Sequence, residues 1–295
     1  MSDILSQGEQ WSAQPLFDKI INITLTSKSG YVTYITMPEK GRKPSITIAG
    51  NFVSDVACPG MTVRIVNFSS NVDLSDYTLG GTIDMVVGYA SSSDNASFKG
   101  ELQSAYQEKP GPDGVTVFTL LVGSFYSWTS MPISLNYKSG TQINTIITSM
   151  ANSLSYWAKR PIHVVTNIPD SDTIQASIQE DGTGMDIAHN FRQFLGITIQ
   201  PDGDVLRAYY SDSDIGLVHK VTYVTTVNKI AGGYSITGPL IPSIRPADLI
   251  YFDPKYFRQQ LGGAVTIAKT YLRVQTMAFQ FSTIGDTNTM TLLAL

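Results

Sequence analysis

The sequence is poor in charge, in cysteine and in long apolar runs, and each shortage excludes a class of protein. Asp, Glu, Lys and Arg supply 15% of its 295 residues, where an average globular domain has about 25%. The surface is therefore expected to be carried by Ser, Thr, Asn, Gln and Gly, or to be hidden in assembly, since the centres of protein interfaces are depleted in charge. The net charge is −4 and no run of Lys or Arg occurs, so the footprint of a phosphate-gripping surface is missing. One cysteine, Cys58, cannot close an internal disulfide. That suits a reducing compartment, and beside Pro59 and Gly60 the thiol reads as buried or incidental in preference to catalytic. No apolar stretch approaches the ~20 residues that span a bilayer, so no membrane partner is expected. Residues 1–14 have neither the positive nor the apolar region of a signal peptide, and residues 1–19 are expected to form a polar N-terminal arm.

What is present is a β-rich stretch, two helical patterns, and β-rich sequence again. Hydrophobic residues make up 42%, and the length allows two or three domains with ample cores. Residues 20–26 (IINITLT) and 31–38 (YVTYITMP) alternate around a short turn, which predicts a hairpin. Further strands are expected at 45–52, 62–68, 82–89, 96–105 and 116–123, with Pro59-Gly60 and the loop 110–114 as breaks. In the middle, Ile143, Ile146, Ile147, Met150 and Leu154 fall on one face of a helix over 141–159, ended by Pro161. Ile187, Ala188, Phe191, Phe194 and Leu195 share a face of a second helix over 185–195, with Gly196 as its stop. Short strands are expected at 162–165 and 174–178, and a hairpin at 197–200 and 205–209 around Asp202-Gly203-Asp204. The last part predicts strands at 220–226, 231–237, 248–252, 265–281 and 289–295, the final two joined by a turn over 285–288.

Catalytic and ligand chemistry is sparse. His163, His189 and His219 have no second His or Cys at metal-ligand spacing. Asp186 stands three residues before His189 and could orient an imidazole, but the pair reads better as a solvent-facing helical couple. Gly182-Thr183-Gly184 precedes a helix, where backbone amides can hold an anion. The third glycine of a dinucleotide fingerprint and the Lys-Ser/Thr of a P-loop are absent. Asp202, Asp204, Asp212 and Asp214 lack the further oxygen ligands and closing Glu of a calcium loop, and a tight turn accounts for Asp-Gly. Glu180 and Asp181 are expected in a polar loop with no opposing carboxylate. Asn22, Asn67 and Asn95 match the glycosylation sequon at chance level. Tyr209-Tyr210, Phe125-Tyr126 and Trp128 could form a sugar or base platform, yet cores and subunit contacts use the same residues. No catalytic, cofactor-binding or metal-binding residue and no cofactor is assigned, and the chain is not expected to be an enzyme.

The order of these patterns resembles the baseplate hub family of long-tailed bacteriophages. The likeness is carried by residues 82–102 (TIDMVVGYASSSDNASFKGEL), 133–154 (ISLNYKSGTQINTIITSMANSL), 184–209 (GMDIAHNFRQFLGITIQPDGDVLRAY), 238–250 (GPLIPSIRPADLI) and 274–295 (VQTMAFQFSTIGDTNTMTLLAL). It implies an α+β, mainly β fold, with two tube-like antiparallel barrel or sandwich domains over 20–131 and 211–295 flanking a small α/β domain over 132–210. It also implies a structural role: a homotrimeric ring in the virion tail baseplate, assembled in the host cytoplasm, adapting a six-fold tail tube to a three-fold central spike. The implied partners are further copies of the chain, a tail tube or distal tail protein, the spike protein, and tape measure and baseplate wedge proteins. DNA would meet the ring only in transit. The mild negative charge and the scarcity of charge suit a conduit that does not bind phosphate. An alternative is another tail ring, such as a distal tail or tube terminator protein. An alternative of another class is a carbohydrate-binding or carbohydrate-active β protein, with Tyr126 and Trp128 as its contacts.

Overall fold

The computed structural model describes residues 19–37, 44–68, 72–90, 95–109, 114–123, 125–221, 224–252, 271–285 and 288–295. The expected N-terminal arm, most of the 110–114 loop, the start of the 265–281 strand and the middle of the 285–288 turn lie outside these residues.

The first β segment holds β1 (Lys19–Thr26), β2 (Val32–Ile35), β3 (Ile46–Val53), β4 (Gly60–Val66), β5 (Thr82–Tyr89), β6 (Ala96–Lys109) and β7 (Val115–Val122). β1 shows why these residues make strands: Ile21, Ile23 and Leu25 are buried, while Asn22, Thr24 and Thr26 face outward at the two-residue period of a pleat. The expected first hairpin forms, with Leu25 opposite Thr33 in the β1–β2 pair. A 3-10 turn at Leu74–Tyr77, not anticipated from the sequence, drives Tyr77 edge-on against Phe68 and Phe118.

The middle segment contains α1 (Phe125–Ser130), β8 (Pro132–Tyr137), α2 (Ile143–Ala158), β9 (His163–Thr166), β10 (Ile178–Thr183), α3 (Gly184–Leu195), β11 (Ile197–Asp202) and β12 (Val205–Tyr210). α2 buries the stripe Ile143, Ile146, Ile147, Met150 and Leu154, and Lys159 closes it in the left-handed region at φ 53°. α3 begins with a full capping box between Thr183 and Asp186 and stops at Gly196, φ 67°. One expectation is corrected here. Residues 178–183, with Glu180 and Asp181, are strand β10 paired with β8, not a polar loop, and no strand runs over 174–178. IQEDGT has weak strand propensity, and the partner β8 supplies what the local sequence does not.

The last segment holds β13 (Val218–Val221), β14 (Thr226–Ile230), β15 (Gly233–Gly238), β16 (Leu249–Phe252), β17 (Tyr271–Ser282) and β18 (Asn288–Ala294). The fold is mainly β. The first and last segments join in one 13-stranded sheet of order β14-β15-β18-β17-β3-β4-β7-β6-β5-β1-β2, with β13 and β16 attached beside β17. The seam is the antiparallel pair β17–β3, where Phe279 lies opposite Gly50. A Cβ at Gly50 would stand 2.6 Å from the Phe279 ring, so only glycine lets that ring lie flat on β3.

The sheet does not close into a barrel: among the described residues β14, β2 and β13 each pair on one side only. It curls instead, because Tyr89 of β5 reaches across to Leu240 O and to Asn288 Oδ1 of β18. One hydrophobic core therefore runs from Ile21 to Leu292 through both β segments, with Phe52, Phe98 and Phe279 at its centre, ring centroids about 6 Å apart. The middle segment keeps a second core around Trp128, Ile146, Met150, Phe191 and Ile199.

Candidate functional site

The β11–β12 hairpin is where the three segments meet. Its strands are buried along almost their whole length, which is unusual for an antiparallel pair with water on one face. Its polar side chains must then find partners in the protein, and most do so, in both directions, although Arg207 Nε is buried without a hydrogen-bond partner among the described residues. Toward the first segment, Gln200 Nε2 donates to Val53 O at 2.8 Å, and the Tyr209 and Ser54 hydroxyls pair at 2.9 Å. Asp204, in the turn made possible by Gly203 at φ 65°, forms an ion pair with Lys99 of β6 and another with Arg160 Nε at 3.1 Å. Burial pushes the nearby Asp84 carboxyl up, against the pull of Lys99 and Arg160.

Toward the last segment lies a cluster of buried charge. Asp248 is fully buried. It forms an ion pair with Arg207 of β12, accepts from the Arg245 backbone N–H at 2.7 Å, and lies 2.9 Å from His219 Nε2. Arg245 Nε donates to Asp202 Oδ2 of β11 at 2.9 Å, and its Nη1 donates to Pro242 O and Ile244 O. The same guanidinium sits 5.1 Å from the Phe52 ring centre and 4.5 Å from that of Phe98. One side chain thus touches all three segments. The two guanidiniums and two carboxylates balance in charge, as burial requires. Ala247, between Pro246 and Asp248, is held in the left-handed region at φ 69°. That conformation costs an alanine roughly 1 kcal/mol or more and persists only where surroundings fix it.

Ser243 Oγ lies 3.4 Å from His219 Nδ1, so Ser243, His219 and Asp248 form a hydrogen-bonded chain. Its acid already carries Arg207 and the Arg245 amide. The arrangement therefore holds elements together, in the manner of a buried ion-pair network. Sequence reading marked Asp202, Asp204 and His219 but missed Arg207, Arg245 and Asp248. The available signal was charge inside the apolar runs VLRAYY and SIRPADLI of a charge-poor chain.

The other marked residues are dispersed. His163 and His189 are exposed on β9 and α3. The Asp186 carboxylate serves the helix cap, and its bonds to Thr183 hold its pKa below the ordinary carboxylate range. Gly184 makes room for the Trp128 ring, which a Cβ would meet at 2.6 Å. Trp128 is buried and donates to Val56 O, whereas Tyr126 is exposed, so the two do not form a platform. Tyr210 donates to Asp172, which pushes its hydroxyl up to about 12. Asp214 caps the Gly216 amide. Burial and the Glu101 carboxylate push the Cys58 thiol well above its ordinary range. Among the described residues no three His, Cys, Asp or Glu side chains gather as a metal site.

No protein-family model and no curated protein sequence matches the chain. Solved structures do. The chain is similar in fold to a tail protein from Neisseria meningitidis MC58, at 9% identity and TM-score 0.57 over 93% of this chain and 96% of that one. It is also similar to an E. coli component of the type VI secretion system, itself described as resembling the T4 bacteriophage tail proteins gp27 and gp5. There the identity is 9% and the TM-score 0.59, over 87% of this chain and 75% of the other. A third is the tail protein of prophage MuSo2 from Shewanella oneidensis, at 10% identity and TM-score 0.55 over 93% and 97%. At this identity the likeness is one of fold.

Proposed function

We propose that the chain is a structural baseplate hub of a phage-type tail. Three copies form a ring that adapts a six-fold tail tube to a three-fold central spike and lets DNA pass. The observation that carries the reading is the near-complete fold likeness to tail proteins, which spans the β segments and the α/β unit together. Three further features support it. The curled sheet leaves β14, β2 and β13 paired on one side only among the described residues, and an unprotected sheet edge is a ready contact for another chain. Only 15% of residues are charged, as expected where surface is covered by neighbours. The ion pairs Arg207–Asp248 and Arg245–Asp202 tie the α/β unit to the β body, as a ring that bears force would need.

Light scattering and negative-stain imaging of the purified chain, alone and with tube and spike proteins, test the reading. Three-fold rings are expected, and a monomer that never forms rings with either partner would sink it. A second reading follows from the likeness to the type VI secretion component: the same ring could serve an injection machine that passes no DNA. Purification of DNA-filled particles containing the chain separates the two.

A further inference from the structure

We draw no further inference here: the strongest candidate, the one-sided edges of β2 and β14 on the curled sheet, belongs to the subunit contact of the ring already proposed, and nothing among the described residues shows what covers them.

Discussion

At the scale of single residues, the joint turns on Arg207 and Asp248. Both are buried, and each neutralises the other. Such a pair contributes little net stability against an apolar substitute, but removing one member leaves the other charge stranded. Arg207→Met is therefore expected to cost about 3–5 kcal/mol in denaturant unfolding. The double variant Arg207→Met, Asp248→Leu should recover part of the loss, though the Arg245 amide and His219 would still lack their acceptor. Full additivity of the two single changes would show that they do not act as a pair. The charges specify an arrangement, since Arg245 meets Asp202 on one side and the Phe52 and Phe98 rings on the other.

At the scale of elements, α3 was legible in detail. Its apolar stripe and its glycine stop are local signals: Ile187, Ala188 and Phe191 are buried and Gly196 closes the helix, whereas Phe194, expected on the same face, is exposed and the Thr183 cap escaped notice. Thr183→Ala should cost about 1 kcal/mol at neutral pH by freeing the Asp186 amide. The Asp186 carboxyl is held below its ordinary value chiefly by its bond to the Thr183 side chain. A carboxyl lowered in the folded state adds stability above its unfolded pKa of 3.8 and loses it as pH falls through the folded value. The gap between Thr183→Ala and the unaltered protein should therefore narrow below about pH 4, read from urea midpoints across pH. β10 is the opposite case. Glu180, Asp181 and Gly182 are poor strand formers, and they extend because Leu135, Ser134 and Ile133 of β8 lie opposite them. A 3-10 turn and α1 escaped notice for a similar reason: four and six residues are too few for a helical period to declare itself.

At the scale of the whole molecule, the sheet ends decide how copies can meet. The Ser27 amide donates to Tyr31 O, so in the antiparallel ladder Thr33 and Ile35 also bond to β1, while Val32 and Tyr34 turn their amides to the free edge. β2 carries no charge, no proline and no bulge to blunt that edge, and Tyr34 is exposed. Tyr34→Pro removes an amide the chain itself does not use, at an edge position where proline is tolerated. In the proposed ring it should leave the melting temperature within a few degrees and lower the trimer fraction in light scattering. An unchanged trimer would place the subunit contact elsewhere.

The sequence by itself determined most strands, both long helices and the glycine stop of α3, because pleat and helix periods and C-terminal glycine chemistry act over a few residues. It also determined the scarcity of charge. Only the tertiary structure decided that residues 19–122 and 218–294 build one open, curled sheet around one core. That outcome rests on β17 pairing with β3, more than 200 residues away in sequence, and on Gly50 admitting the Phe279 ring. It likewise decided that Arg207, Arg245, Asp202 and Asp248 meet. A buried charge is tolerable only beside its counter-charge, and no local pattern reveals which distant residue will supply it.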